Sequence, residues 1–260
     1  GIVMILFIIS WFLHTVDVDG TPLVKVFGVS RYFLQLSVFT LWTLSLYSRV
    51  VQKEARYYLT IIGILMVAWL LVRTIKHTLP PETSCLNILW YLYYIPIIFI
   101  PLWLVFVAYS ICRHEDYHIP TTLKYLYIPA ALLLLLVLTN DVHNLVFILP
   151  KADPLDPTTG TYKYNIGYYI VYGWSVVCYL LTLILLLKKN RIIHKNQRIL
   201  IPIGCLALLG GYLFLYNIYP PFIQRYFNDV TVGYCICFML FLESLLFLGF
   251  IQSNNNYLRL

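Results

Sequence analysis

The chain has 260 residues, of which 61% are hydrophobic and only 11% charged, with a formal charge of +7 and a mean hydropathy of +0.80. Soluble domains carry about 25% charged residues, so a water-soluble globule is excluded and the chain reads as an all-α, polytopic transmembrane helical bundle. No Lys/Arg run is interleaved with aromatics on a polar face, so nucleic acid is excluded as a partner and membrane lipid is the expected surround.

Eight apolar segments follow in chain order, at about 1–14, 31–48, 57–73, 87–112, 123–139, 167–187, 199–217 and 230–252. The first is too short to cross a bilayer unless residues upstream complete it. A cleaved signal peptide stays open there, although neither a basic n-region nor a small-residue cleavage site is visible. The expectation is therefore seven core spans plus one N-terminal partial or eighth span. Residues 1–30 form an apolar segment and external linker, 31–252 the seven-helix membrane domain, and 253–260 the start of a cytoplasmic linker.

Loop charge sets the orientation. Arg49, Lys53, Arg56, Arg113, Lys124, Lys188, Lys189, Arg191, Lys195, Arg198 and Arg259 fall in alternate connections, opposed there only by Glu54, Glu115 and Asp116. Lys25, Arg31, Arg73, Lys76, Lys151, Lys163 and Arg225 fall in the others and are balanced one for one by acidic residues. The first group should be cytoplasmic, which places the C-terminus inside.

The fourth apolar segment organises the rest. Leu86 to Cys112 carries no formal charge and six Trp or Tyr residues. Pro96 and Pro101 each remove an N–H and free the carbonyl four residues earlier, at Leu92 and Ile97. A freed carbonyl in lipid must find another donor or line a cavity, so a bent helix facing protein is expected. Trp90, Tyr94, Phe99 and Trp103 would wall an outer-facing ligand pocket. The connection Asn140 to Ile166 reads as a hairpin over that mouth, its apolar ends 145–149 and 162–164 flanking a turn at Thr158, Thr159 and Gly160. Asn140, Asp141 and His143, with Arg73, Lys76 and His77, are either a polar rim for the ligand or ordinary headgroup-level residues. Gly204, Ala207 and Gly211 form a small-residue face suited to close helix packing. Tyr57, Tyr58, Tyr125, Tyr127, Tyr168 and Tyr169 fall near span ends as interfacial anchors.

Glu243 is the one formal charge inside an apolar span, about midway along 230–252. Such carboxylates are costly and face a partner. It is a protonatable switch or ligand contact, a neutral acid bonded to a Tyr or Ser, or a residue near the cytoplasmic end and water. No metal site is expected: Cys235 and Cys237 point to opposite sides of a helix, and His114 and His118 have no third ligand nearby. The cysteines show no disulfide framework. No span holds a lysine for a retinal Schiff base, and no phosphate-binding Gly loop, G-x-S-x-G or H-E-x-x-H occurs. The chain is expected to be no enzyme and to need no cofactor.

The segment IPLWLVFVAYS with Pro101, Leu102 and Trp103, the stretch PAALLLLLVLTNDVHNLVF with Pro129, Thr139, Asn140 and His143, and the closing ESLLFLGFIQSNNNY with Glu243, Gly249, Ser253, Asn254 and Tyr257 resemble one family. It is the N-terminal seven-helix membrane sensor region of bacterial histidine kinases, in its Gram-positive form. The likeness runs from about Arg31 to Gln252. It departs in having Ile100 where a second proline would precede Pro101, and in the extra N-terminal apolar piece. The resemblance implies a sensor in the bacterial cell membrane, paired with a cytoplasmic output or kinase domain and working as a homodimer. It transfers no binding residues.

Two functions from different classes follow. In the first, a small ligand bound by Trp90, Tyr94, Phe99, Trp103, Asn140, His143 and Glu243 biases the bent helix, and rotation of 249–260 passes the shift to a cytoplasmic effector. In the second, the chain is a small-solute or ion transporter with Glu243 as coupling carboxylate. An assembly subunit without ligand is a third, weaker option.

Overall fold

The computed structural model describes residues 22–79, 86–111, 113, 117–148, 163–193, 199–218 and 230–253. Helix α1 (Pro22–Arg49) starts on a proline, whose missing N–H is harmless in a first turn, and ends on a cation that suits a helix C-terminus. Helix α2 (Lys53–Thr78) has Glu54 in its first turn, the matching choice for an N-terminus. Helices α3 (Leu86–Leu92) and α4 (Tyr94–Ser110) are one rod interrupted at Tyr93. Short helices α5 (Thr121–Lys124), α6 (Tyr127–Leu138) and α7 (Asn140–His143) make the next rod. A two-residue ladder pairs β1 (Phe147–Ile148) antiparallel with β2 (Lys163–Tyr164), Phe147 opposite Tyr164. Then come α8 (Ile166–Ile193), α9 (Leu200–Ile218) and α10 (Val230–Phe247).

Each of the seven expected core segments is thus helical, and the fold is an all-α bundle. Lys53–Lys76, Leu86–Ser110, Thr121–Leu138 and Ile166–Lys189 are long and apolar enough to cross a membrane, with shorter apolar helices at Leu200–Leu215 and Thr231–Phe247. The N-terminal segment 1–14, the hairpin tip 149–162 and the tail 254–260 lie outside the described residues.

The α3–α4 rod is the hub. Helix α4 packs against α2, α6 and α8, while α1 lies on α2, and α9 on α10. Of its membrane-length window 67% is buried inside the protein, against 44%, 11% and 28% for the other three. Ile98, Ile100, Leu102, Leu104 and Phe106 are completely enclosed. Helix α6 turns Leu132 and Leu135 outward, as a lipid-facing rod should.

Two helix pairs approach closely at glycine. A Cβ on Gly63 would lie 2.5 Å from Thr43 Oγ1, and one on Gly233 would lie 2.3 Å from the Tyr212 ring. The face expected to pack closely is instead open: nothing lies within 4 Å of a Cβ on Gly204 or Gly211, and Ala207 is exposed. Helix α9 uses its opposite side, with Tyr212 over Gly233, to meet α10.

Candidate functional site

Pro96 and Pro101 act differently because they occupy different turns. Pro96 is in the first turn of α4, where no intrahelical N–H is needed, and Tyr93 N–H bonds back to Trp90 O at 3.1 Å in a tightened turn. Pro101 is inside α4 and leaves Ile97 O without its usual donor. Ser175 Oγ of α8 donates to that oxygen at 3.0 Å, and Trp174 Nε1 donates to Ile98 O at 3.2 Å. Both prolines are buried. The freed carbonyl expected to seek a donor finds it on the neighbouring rod.

At one rim, an aromatic cap closes over α3 and α4. Phe147 is fully buried, with its ring 4.3 Å from Trp90, 5.3 Å from Tyr94 and 6.1 Å from Tyr164. Asn140, also fully buried, pins the hairpin: its Oδ1 accepts from Val146 N at 2.9 Å and Phe147 N at 3.0 Å, and its Nδ2 donates to Phe147 O at 3.0 Å. Tyr91 OH donates to Asp141 Oδ1 at 2.5 Å. His143 stays local, with Nε2 3.1 Å from Thr139 Oγ1 and Nδ1 accepting from Leu145 N at 3.0 Å. Lys76 stands over the Trp90 and Tyr93 rings at 5.8 and 5.2 Å, while buried Arg73 stands over Tyr32 and donates to Gln35.

The other two expected wall residues lie farther along α4. Phe99 and Trp103 are 5.5 Å apart, and Trp103 Nε1 donates to Tyr127 OH at 2.9 Å. Tyr127 in turn borders an open cavity of about 490 Å³ with Lys53, Tyr57, Tyr58 and Lys124, where Glu54 also meets His118 at 2.9 Å. Trp90 and Tyr94 therefore gather around Phe147, whereas Phe99 and Trp103 gather around Tyr127. Of the expected interfacial tyrosines, Tyr57, Tyr125 and Tyr169 are exposed, but Tyr58 is buried against Phe106.

Glu243 belongs to the opposite rim from Asn140. It lies one turn from the end of α10, with its carboxylate clamped by Arg49, whose Nη1 donates to Oε2 at 3.0 Å and whose Nη2 donates to Oε1. Trp42 Nε1 donates to Oε1 at 2.7 Å. The partner is neither a Tyr nor a Ser, and the position is not mid-span; about a third of each side chain in the pair is exposed. Such a bidentate pair gives planar, directional contact.

The same rim gathers other helix ends. Gln52 is buried and its Nε2 donates to Ser110 O at 2.7 Å, while Lys189 Nζ donates to Tyr109 O and Ile111 O. Both reach carbonyls at the end of α4, where the helical ladder runs out, and Ser110 O also accepts from Arg113 N at 3.2 Å. Helix α10 stops at Phe247, Gly249 takes φ 71°, and the chain doubles back so that Ser253 bridges Val50 and Val51 N bonds Gln252 O at 3.1 Å. The expected continuous helix through 249 is thus broken at this glycine, because φ > 0 ends α-helix geometry.

The sequence marks Arg49 only as a cytoplasmic loop charge, and it does not single out Trp42, Gln52, Ser175, Tyr179 or Tyr234. For Arg49 a signal existed: a cation closing one apolar span at the rim where another span ends near a carboxylate. Among the described residues no group of His, Cys, Asp or Glu could hold a metal, and Cys178, Cys205, Cys235 and Cys237 are free.

The family model described as N-terminal 7TM region of histidine kinase matches residues 32–254. No curated protein and no solved structure matches the chain.

Proposed function

The chain belongs to the family of N-terminal 7TM regions of histidine kinases, and on that premise we propose that it senses a small ligand and relays the event to a cytoplasmic output domain through its last helix. The region is a membrane sensor, not a catalyst. One observation carries the relay: α10 and the chain after it are tied to the α1–α2 junction twice, by Glu243 to Arg49 and by Ser253 to Val50. A shift of α10 relative to α1 must strain or release both ties, so the chain leaving the bundle reports that shift.

Ligand access in this reading is at the aromatic cap. Phe147 fills the space among Trp90, Tyr94 and Tyr168, and a ligand reaching those walls displaces it and moves the hairpin pinned by Asn140 and neighboured by His143. Phe99 and Trp103 carry the movement along α4 to Tyr127. Loop charge supports a cytoplasmic Glu243 rim, and in this reading two copies side by side present two such tails to paired output domains. The transporter reading draws less support, because Glu243 is held by an arginine and an indole near a rim rather than waiting mid-span for a proton.

The test is a fusion of residues 1–260 to a reporter histidine kinase, comparing Tyr94→Ala and Trp103→Ala with the parent. Altered basal or stimulated autophosphorylation is expected in both; unchanged output in both would dismiss this path. Cysteine labelling that placed Lys188 outside the cell would reverse the orientation.

A further inference from the structure

A cleft of about 310 Å³ opens between α8 and α9, bounded by Tyr172, Ser175, Tyr179, Leu206, Ala207 and Gly210. We propose that it binds a single-chain amphiphile drawn from the bilayer: one alkyl chain bearing a carboxyl or ester carbonyl head. This site is separate from the aromatic cap and does not depend on the relay described above.

The cleft exists because α9 packs along α10, and no comparable packing joins it to α8. Small side chains on α9 enlarge it, and a Cβ on Gly210 would meet nothing within 4 Å. Its lining falls within Ile166–Lys189 and Leu200–Leu215, both apolar enough for the membrane interior, so an occupant arrives through lipid. The volume is at the lower end of the ~300–1,000 Å³ typical of ligand sites. It suits one slender apolar body and not a two-tailed lipid.

The polar pole decides the head group. Tyr179 OH and Tyr234 OH hydrogen-bond to each other. Two hydroxyls hold two hydrogens, and their mutual bond uses one. Directly against Tyr234, with ring centroids 5.2 Å apart, stands Trp69, 5% exposed, whose Nε1 makes no hydrogen bond. One phenolic hydrogen of the pair and the Trp69 indole N–H are therefore unspent, and Tyr179, which lines the cleft, brings the pair to its inner wall. In an apolar medium an unspent donor is costly, and a carboxyl or ester oxygen supplies the missing acceptor. A plain alkane does not. Tyr234 lies on α10, the helix that carries Glu243, and stacks on Phe238 at 5.8 Å.

The experiment uses the chain in liposomes with a fatty acid carrying a diazirine near the end of its tail, photolysed and mapped by mass spectrometry. Adducts are expected at cleft positions of α8 and α9, such as Leu180 and Leu206, competed by unlabelled fatty acid but not by diacyl phospholipid. Gly210→Leu, which fills the cleft without a backbone clash, should cut labelling about tenfold, equivalent to roughly 1.4 kcal/mol. Gly204→Leu, at a position of the same helix that does not line the cleft and has open space around it, should leave it unchanged and controls for folding. Tyr179→Phe should lower competition by the fatty acid towards that of the matching alkane. Adducts spread equally to outward residues of α6 such as Leu132, equal competition by diacyl phospholipid, or full labelling of Gly210→Leu would each show only annular lipid and overturn the proposal.

Discussion

Ser175 of α8 gives its hydroxyl hydrogen to Ile97 O of α4 at 3.0 Å, the one carbonyl that Pro101 deprives of its helical donor. The proline and the serine are thus a matched pair on different rods, and the bond ties α8 to the hub. Ser175→Ala should destabilise the protein by about 1 kcal/mol, within the range measured for interhelical hydrogen bonds in membranes. In a Pro101→Ala background residue 101 regains its N–H, so the same substitution should be nearly silent. Thermal unfolding in detergent of the four proteins of this cycle checks it; equal losses in both backgrounds would uncouple the pair.

Asn140 replaces strand partners for the start of the hairpin, with three hydrogen bonds of 2.9–3.0 Å to the backbone of Val146 and Phe147. Asn140→Leu leaves buried N–H groups without acceptors, each costing about 1–3 kcal/mol. The expected outcome is a loss of about 3 kcal/mol and faster proteolysis within 149–162, with the rest of the bundle retained. Asn140→Asp keeps the acceptor but not the donor, and should fall between the two.

The helical segments were legible because an uncharged run of membrane length has few other folds open to it. Residues 86–112 declared themselves the hub for a physical reason: a proline inside an apolar helix, here Pro101, requires a neighbouring donor. What stayed illegible was pairing. Nothing local to Glu243 distinguishes Arg49 from any tyrosine as its partner, since the two are joined only by the crossing of α1 and α10. The aromatic walls divided because the hairpin ring Phe147 reaches only the end of the α3–α4 rod that carries Trp90 and Tyr94, whereas Phe99 and Trp103 lie farther along α4 beside Tyr127. Gly204 and Gly211 looked like packing glycines, but spacing cannot say which side of a helix meets its neighbour; Gly233, without a small-residue repeat, makes the close contact.

Glu243 and Arg49 hold α10 against α1 at a rim where about a third of each side chain meets solvent. Exposed pairs contribute about 0–1 kcal/mol and fully buried ones lose 3–5 kcal/mol when broken, so Glu243→Gln should cost about 1–2 kcal/mol. Arg49→Gln should cost a similar amount, and should leave Trp42 Nε1 still bonded to the carboxylate. The exchange Arg49→Glu with Glu243→Arg should recover part of the stability and of the reporter kinase's basal output. Recovery of neither would mean that the pair's geometry, not its charge, is what matters.

Val50 and Ser253 face each other in an antiparallel bridge at the point where the chain turns back after Gly249. Opposed residues in such a pairing have Cα atoms about 4.5–5.5 Å apart, inside the span a disulfide accepts. Val50→Cys with Ser253→Cys should therefore crosslink under mild oxidation and fix the outgoing chain to the α1–α2 junction. If movement of α10 is what the output domain reads, the shift in reporter autophosphorylation caused by Glu243→Gln should vanish in the oxidised protein and return on reduction. A shift that survives the crosslink would mean that the signal leaves the bundle by a route that does not pass through this junction.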